Sequence, residues 1–309
     1  MFRQFRTLPA LPAALALATI LTTPALAQGP GARGEPVRPG PKLPVGLAAG
    51  MSSWPESRYC DGPATASMQP LAPREVLGTL ELASRCGFRV VIVPPRRFLT
   101  TSGRVKGGFS VDNAKQLMDL YAAQLPPDTL RKYRDNILGF NLGDDYGDRK
   151  SWGGEKITQA QVAEWATYAR TKLPGVALGV RVTPDWVEKY PPLAPLIDYA
   201  WAQYHGGKGE AEEYYDRAAR IADRLGLRLI MGVNVERCYG ASSSPCSAHD
   251  LVRYGNLAVN HSATCAFLNW KYDAATWDDP EVRAAWGQLL AVARGKKAQD
   301  CRRQKGGAS

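Results

Sequence analysis

The residues best suited to chemistry in this 309-residue chain are carboxylates that close apolar runs. Asp144 and Asp145 follow the run at 137–143, and Glu236 closes the run at 228–235. Two carboxyl groups from separate segments, one protonated and one charged, can divide general-acid and nucleophile or base work on a single bond. Arg181 lies near the end of a third run, at 176–182, where its guanidinium could compensate a carboxylate. Around the same run ends lie Asp185, Gln203, Tyr204, His205, Asn234, Trp270, Tyr272 and Asp273. These polar and flat aromatic side chains suit the binding of a ligand rich in hydroxyl groups. Each also has a structural use: Asp144 and Asp145 can cap a loop, Arg181 can be a salt-bridge partner, and Glu236 can sit on a solvated rim.

Such side chains converge only if their runs are neighbouring strands. Short apolar runs at 44–49, 88–94, 137–143, 176–182, 197–203, 228–235 and 265–270 alternate with amphipathic stretches at 74–85, 111–124, 158–172, 209–225, 247–258 and 279–293. Helix-start signals stand at Thr158-Gln-Ala-Gln161 and at Asp279-Pro280. Alternating strands and helices predict a parallel sheet with right-handed crossovers. No glycine-rich phosphate fingerprint follows any strand, which disfavours an open nucleotide-binding sheet. The expected class is therefore α/β, a single (β/α)8 barrel of the TIM type at 43–293, its eighth strand either hidden within 97–110 or missing.

In such a barrel the active site forms where the carboxyl ends of the strands meet the following loops. Side-chain alternation then assigns directions. Phe140 and Leu142 suit the helix layer, leaving Asn141, Gly143 and Asp145 inside. Leu178 and Val180 face helices and Arg181 faces in; Leu229, Met231 and Val233 face helices, and Asn234 and Glu236 face in. A bulge at a strand end would exchange Asp144 for Asp145. Trp54, Trp152, Trp186 and Trp201 fall near the same mouth, either packed in the core or offered to a ligand.

The flanks bound the setting. Arg3 and Arg6, a largely apolar run at 11–21 and the small residues Ala25 and Ala27 have the three parts of a cleavable export signal over 1–27. Pro9, Pro12 and Pro24 argue against a membrane span there. Residues 28–42 are rich in Gly and Pro and read as a linker, and 294–309 as a basic flexible tail. The net charge of +10 sits largely on these flanks, with the body nearly neutral, so a nucleic-acid groove is not expected. The six cysteines favour disulfides in an exported chain, with Cys238 and Cys246 bracketing a short Gly/Ser/Pro loop and the other pairings open. No paired metal-ligand spacing occurs, and neither a metal nor another cofactor is expected. The chain is expected to act as a secreted or periplasmic monomer.

At the strand ends the chain resembles the glycoside hydrolase superfamily of (β/α)8 barrels. Gly139-Phe-Asn-Leu-Gly-Asp-Asp145 is similar to their glycine-containing strand that closes on an acid, and Glu236 stands where a later strand supplies a second carboxylate. The resemblance spans about 43–293 in architecture. It implies hydrolysis of a glycosidic bond in an oligo- or polysaccharide, with Asp145, or Asp144 in its place, as acid/base and Glu236 as the second carboxylate. Where the superfamily commonly carries Asn-Glu or Asp-Glu, this chain carries Asp144-Asp145. That departure favours the alternative, a barrel that binds glycan or cell-wall polymer without cleaving it. An esterase or phosphodiesterase is disfavoured, because no G-x-S-x-G nucleophile elbow is present and the three histidines form no cluster.

Overall fold

The computed structural model describes residues 42–103, 107–239 and 244–303. Eight parallel strands close into a barrel in chain order. They are β1 (Ala48–Ser52), β2 (Ala66–Pro70), β3 (Arg89–Val93), β4 (Ile137–Asp144), β5 (Leu178–Arg181), β6 (Tyr199–Tyr204), β7 (Arg228–Val233) and β8 (Thr264–Asn269). The long helices around them are α1 (Pro73–Cys86), α2 (Val111–Gln124), α4 (Gln159–Lys172), α6 (Ala211–Leu225), α7 (Ala248–Asn260) and α9 (Pro280–Gly295). Short helices α3 (Pro127–Lys132), α5 (Pro184–Glu188) and α8 (Ala274–Asp278) complete the ring. Both expected start signals cap helices. Thr158 Oγ1 accepts the Gln161 amide at 3.2 Å while the Gln161 side chain accepts the Thr158 amide at 2.9 Å, and Asp279 accepts the Glu281 and Val282 amides ahead of α9.

The eighth strand is present, but it is β2 and not part of 97–110. The stretch 97–110 instead holds most of a 3-10 helix, Arg96–Leu99, and an isolated antiparallel bridge between Thr100 and Phe109. Ala66-Ser-Met-Gln-Pro70 lacks the β-branched residues that announce a strand, and only a 3-10 turn, Glu56–Arg58, separates it from β1. The first strand also begins later than 44–49 suggests. Gly46 turns the chain at φ 65°, Val45 stays exposed, and the pairing with β8 begins at Ala48.

Alternation divides the apolar side chains into two layers. Phe140, Leu142, Leu178, Val180, Leu229, Met231 and Val233 pack outward with helix residues such as Val76, Leu80, Trp165 and Leu289. Met68, Val91, Leu138, Tyr199, Trp201, Ile230 and Leu268 fill the barrel itself. The Tyr199 ring lies over Gly139 and Gly179, whose missing side chains make room for it. A methyl group at Gly179 would overlap that ring, so Gly179→Ala is expected to lower stability by about 3 kcal/mol, as overpacking of a filled core does. A urea midpoint equal to the parent's would refute this account of the barrel centre.

Three disulfides join Cys60 to Cys86, Cys238 to Cys246 and Cys265 to Cys301. The last corrects the expectation of a free tail from residue 294. α9 continues to Gly295, and Cys301 is fully buried against the barrel interior. Next to it the Arg303 amide donates to Asp198 Oδ1 at 3.0 Å. The other oxygen of Asp198 accepts from the Leu178 amide at 2.7 Å and from Arg170 Nη2 at 2.6 Å, so this buried carboxylate is fully paired. The described part of the tail is thus fastened across the amino-terminal end of the barrel. The export signal and residues 28–41 of the linker lie outside the described residues. None of the helices described is long and apolar enough to cross a membrane.

Candidate functional site

The carboxyl end of β4 carries the bulge that parity left open. Asn141 pairs with Gly179 but Asp144 pairs with Arg181, so β4 advances three residues while β5 advances two. Gly143 absorbs the bend at φ 92°, a backbone region that glycine enters freely. The Tyr146 hydroxyl donates to the Leu142 and Gly143 carbonyls at 2.8 and 3.1 Å, and Trp152 Nε1 donates to the Asp144 and Asp145 carbonyls at 3.2 and 3.1 Å. Burial pushes the Tyr146 hydroxyl's pKa well up, with the Asp144 charge adding to the effect, so it braces the bend as a neutral donor.

The bulge therefore exchanges the two acids. Asp144, with 16% of its side chain exposed, turns toward the barrel axis, whereas Asp145, at φ 50°, leaves 51% exposed. Asp144 Oδ2 meets Arg181 Nη1 at 2.8 Å and its Oδ1 meets Arg96 Nη2 at 2.9 Å. Arg96 also reaches Asp145 Oδ2 at 2.9 Å and lies 4.9 Å from the centre of the Trp152 ring. Burial disfavours the charge on Arg96, but Asp144 and Asp145 outweigh it and raise its pKa. Arg181, 12% exposed, lies over two rings, 4.2 Å from the centre of Trp270 and 4.9 Å from that of Trp201.

Beyond Trp270 in the sequence the row continues. Lys271 Nζ is 5.7 Å from the Trp270 ring centre and 3.7 Å from Glu236 Oε1. Val233 and Val235 pack in the outer layer, Asn234 bridges in parallel to Trp270 just past the end of β7, and Glu236, in the bend that follows, joins the row through Lys271. A row of charges and rings thus runs from Asp145 through Arg96, Asp144, Arg181, Trp270 and Lys271 to Glu236. On its floor, Trp201 Nε1 and Gln203 Nε2 are buried N–H donors with no hydrogen-bond partner.

The remaining candidates divide. Tyr204 is a correction: it packs in the helix layer beside Tyr214 and Tyr254, and its hydroxyl donates to the Gly209 carbonyl at 2.8 Å. Asp273 caps α8 through the Thr276 amide at 2.9 Å, and that bond and the Thr276 hydroxyl hold its carboxyl below the usual carboxylate range. Asn234 Oδ1 accepts the Arg237 amide at 3.1 Å, and Asp185 is exposed in the first turn of α5. Tyr272 packs edge-on to Trp54, 5.3 Å between ring centres. His205 Nδ1 accepts the Gly207 amide at 3.2 Å, and burial with Lys208 nearby lowers its pKa. Protonation is therefore disfavoured in the folded chain, and the stability tied to His205 is present above pH 6.5 and lost as the pH falls through the lowered value. An NMR titration of His205 is expected to show a midpoint below 6.5; one above it would contradict this environment.

Arg96 and Lys271 are the site residues that strand-end reasoning passed over. The available signal for Arg96 was Pro94-Pro95-Arg96-Arg97, a pair of cations released directly after a strand. Among the described residues no group of three or more His, Cys, Asp or Glu side chains could hold a metal ion.

No protein-family profile matches the sequence, and no curated protein matches it significantly. Solved structures do share its fold. An endoglucanase, Cel5A, from Pseudomonas stutzeri aligns over 84% of this chain and 98% of its own at a TM-score of 0.55 and 10% identity. A β-mannanase from Thermomonospora fusca aligns over 84% and 93% at 0.54 and 11% identity. SrfJ from Salmonella typhimurium aligns over 84% and 77% at 0.53 and 13% identity. What these structures share with the chain is the (β/α)8 barrel, and at these identities the similarity is one of architecture.

Proposed function

We propose that the carboxyl-end mouth of the barrel binds a saccharide chain and hydrolyses a glycosidic bond in it, outside the cytoplasm. The observation that carries this reading is the row from Asp144 through Arg181, Trp270 and Lys271 to Glu236, which links two carboxyl groups from different strand ends through an aromatic ring. Tryptophan faces suit the apolar sides of sugar rings. Asp144 takes the part of the charged carboxylate, because each of its oxygens already accepts from a guanidinium and neither has a proton to give. Glu236 takes the part of proton donor. Asp145, outside the bulge, holds Arg96 in place instead of acting as acid. The mannanase and endoglucanase that share the fold support a saccharide as the ligand class. Three disulfides and an export-type leader support a secreted or periplasmic setting.

One observation favours the second reading, binding without cleavage: every carboxylate in the row has a cationic neighbour, Lys271 for Glu236 and Arg96 for both aspartates. A panel of polysaccharides scored for both retention and release of reducing ends separates the two. Hydrolysis is expected to appear with the parent protein and to vanish in Glu236→Gln while retention persists. Retention with no new reducing ends from the parent would establish the second reading, and absence of both would end the first and second together.

A further inference from the structure

At the amino-terminal end of the barrel, opposite the mouth, lies a cavity of about 460 Å³. Its walls are aliphatic: Pro127 and Leu130 from α3, Ile137 at the start of β4, and Pro174 and Val176 leading into β5. Three guanidiniums, those of Arg131, Arg134 and Arg302, stand among them. Two are already engaged, Arg131 with Asp128 and Arg302 with Asp300 at 2.8 Å and with the Gly175 carbonyl at 3.5 Å. The exposed side chain of Arg134 has no partner among the described residues. A second cavity of about 310 Å³ shares Ile137, Arg134 and Arg302 with the first, but Asp135, Gln299 and Asp300 line it beside Leu43, Pro44 and Leu138, so it is polar and carries carboxylates. Arg89, buried at its edge, is spent on the Val45 and Gly46 carbonyls at 2.8 and 2.6 Å.

We propose that the first cavity binds an anionic amphiphile, a carboxylate or phosphate head on an alkyl body. The argument is complementarity of two kinds. A concave aliphatic surface left to water is unfavourable and is relieved by an alkyl chain, and a volume in the range of about 300–1,000 Å³ is that of a small-molecule site. The unpaired guanidinium of Arg134 at the rim, with Arg302 beside it, supplies the point at which an anionic head is recognised over a neutral one. The aliphatic character of the first cavity's walls, with neither an aromatic ring nor a carboxylate among its lining residues, selects an alkyl body over a sugar or a base. This site lies at the opposite end of the barrel from the saccharide mouth and stands or falls independently of it.

The test is calorimetric titration of the purified protein with decanoate and, separately, with decanol. Decanoate is expected to bind saturably and decanol at least tenfold more weakly. Arg134→Glu, a substitution at an exposed position that leaves the fold intact, is expected to weaken decanoate at least tenfold. Arg283→Glu, an equal charge change on the exposed face of α9, is expected to leave it unchanged. Absence of saturable decanoate binding, equal affinity for decanol, or equal weakening by the two variants would each overturn the proposal.

Discussion

Asp144→Asn is expected to abolish saccharide cleavage, lowering turnover about a thousandfold, and to unsettle the mouth at the same time. The change preserves shape but removes the charge that two guanidiniums share. Arg181 keeps only neutral acceptors, and Arg96 keeps Asp145. Breaking a buried pair costs about 3–5 kcal/mol. With Arg96 22% exposed, screening reduces that to about 2 kcal/mol here, which urea unfolding would detect. The two effects are separable, because activity measured well below the unfolding midpoint reports chemistry alone. Asp145→Asn is expected to cost far less on both counts, since that side chain stands half in solvent. The reverse order, with Asp145 the sensitive residue, would mean that the bulge in β4 does not select the working acid.

Replacing Cys265 and Cys301 together by serine is expected to produce the largest loss of stability among the changes considered. The bond closes a 36-residue separation, for which chain-entropy arguments give about 4 kcal/mol. Both half-cystines are fully buried, so two serine hydroxyls would also enter an apolar layer. Urea midpoints with and without reductant provide the measurement: the parent should fall to the variant's midpoint on reduction, once allowance is made for the other two bonds. A variant within about 1 kcal/mol of the parent would show that the hydrogen bonds around Asp198 hold the carboxyl-terminal segment unaided.

Much of this architecture is written in local patterns. The six long helices and seven of the eight strands, β1 with its start displaced, announce themselves through apolar periodicity and caps, and Arg181 at the end of β5 follows from simple alternation. What escaped is non-local. β2 carries Ala, Ser, Met and Gln, and its backbone comes so close to β1 that a Cβ on Gly50 would meet the Ala66 carbonyl. Nothing within those five residues states that approach. The bulge in β4 depends on Tyr146 and Trp152 folding back onto its carbonyls, so only the assembled loop decides between Asp144 and Asp145. Arg96 was hidden because its role is defined by a neighbouring strand. Cys238 and Cys246 pair across a separation of only 8 positions and were readable, whereas Cys60–Cys86 and Cys265–Cys301 join positions 26 and 36 apart with whole strands or helices between them.

Leu43 and Arg302 border the same cavity, which places both described ends of the polypeptide at the pole away from Asp144 and Glu236. A fusion partner, an affinity handle or a solid support attached at either end would therefore leave the opposite pole pointing outward. Held at those two described ends, the protein would turn Asp144, Trp270 and Glu236 away from the support, which makes it convenient for surface-based measurement of binding.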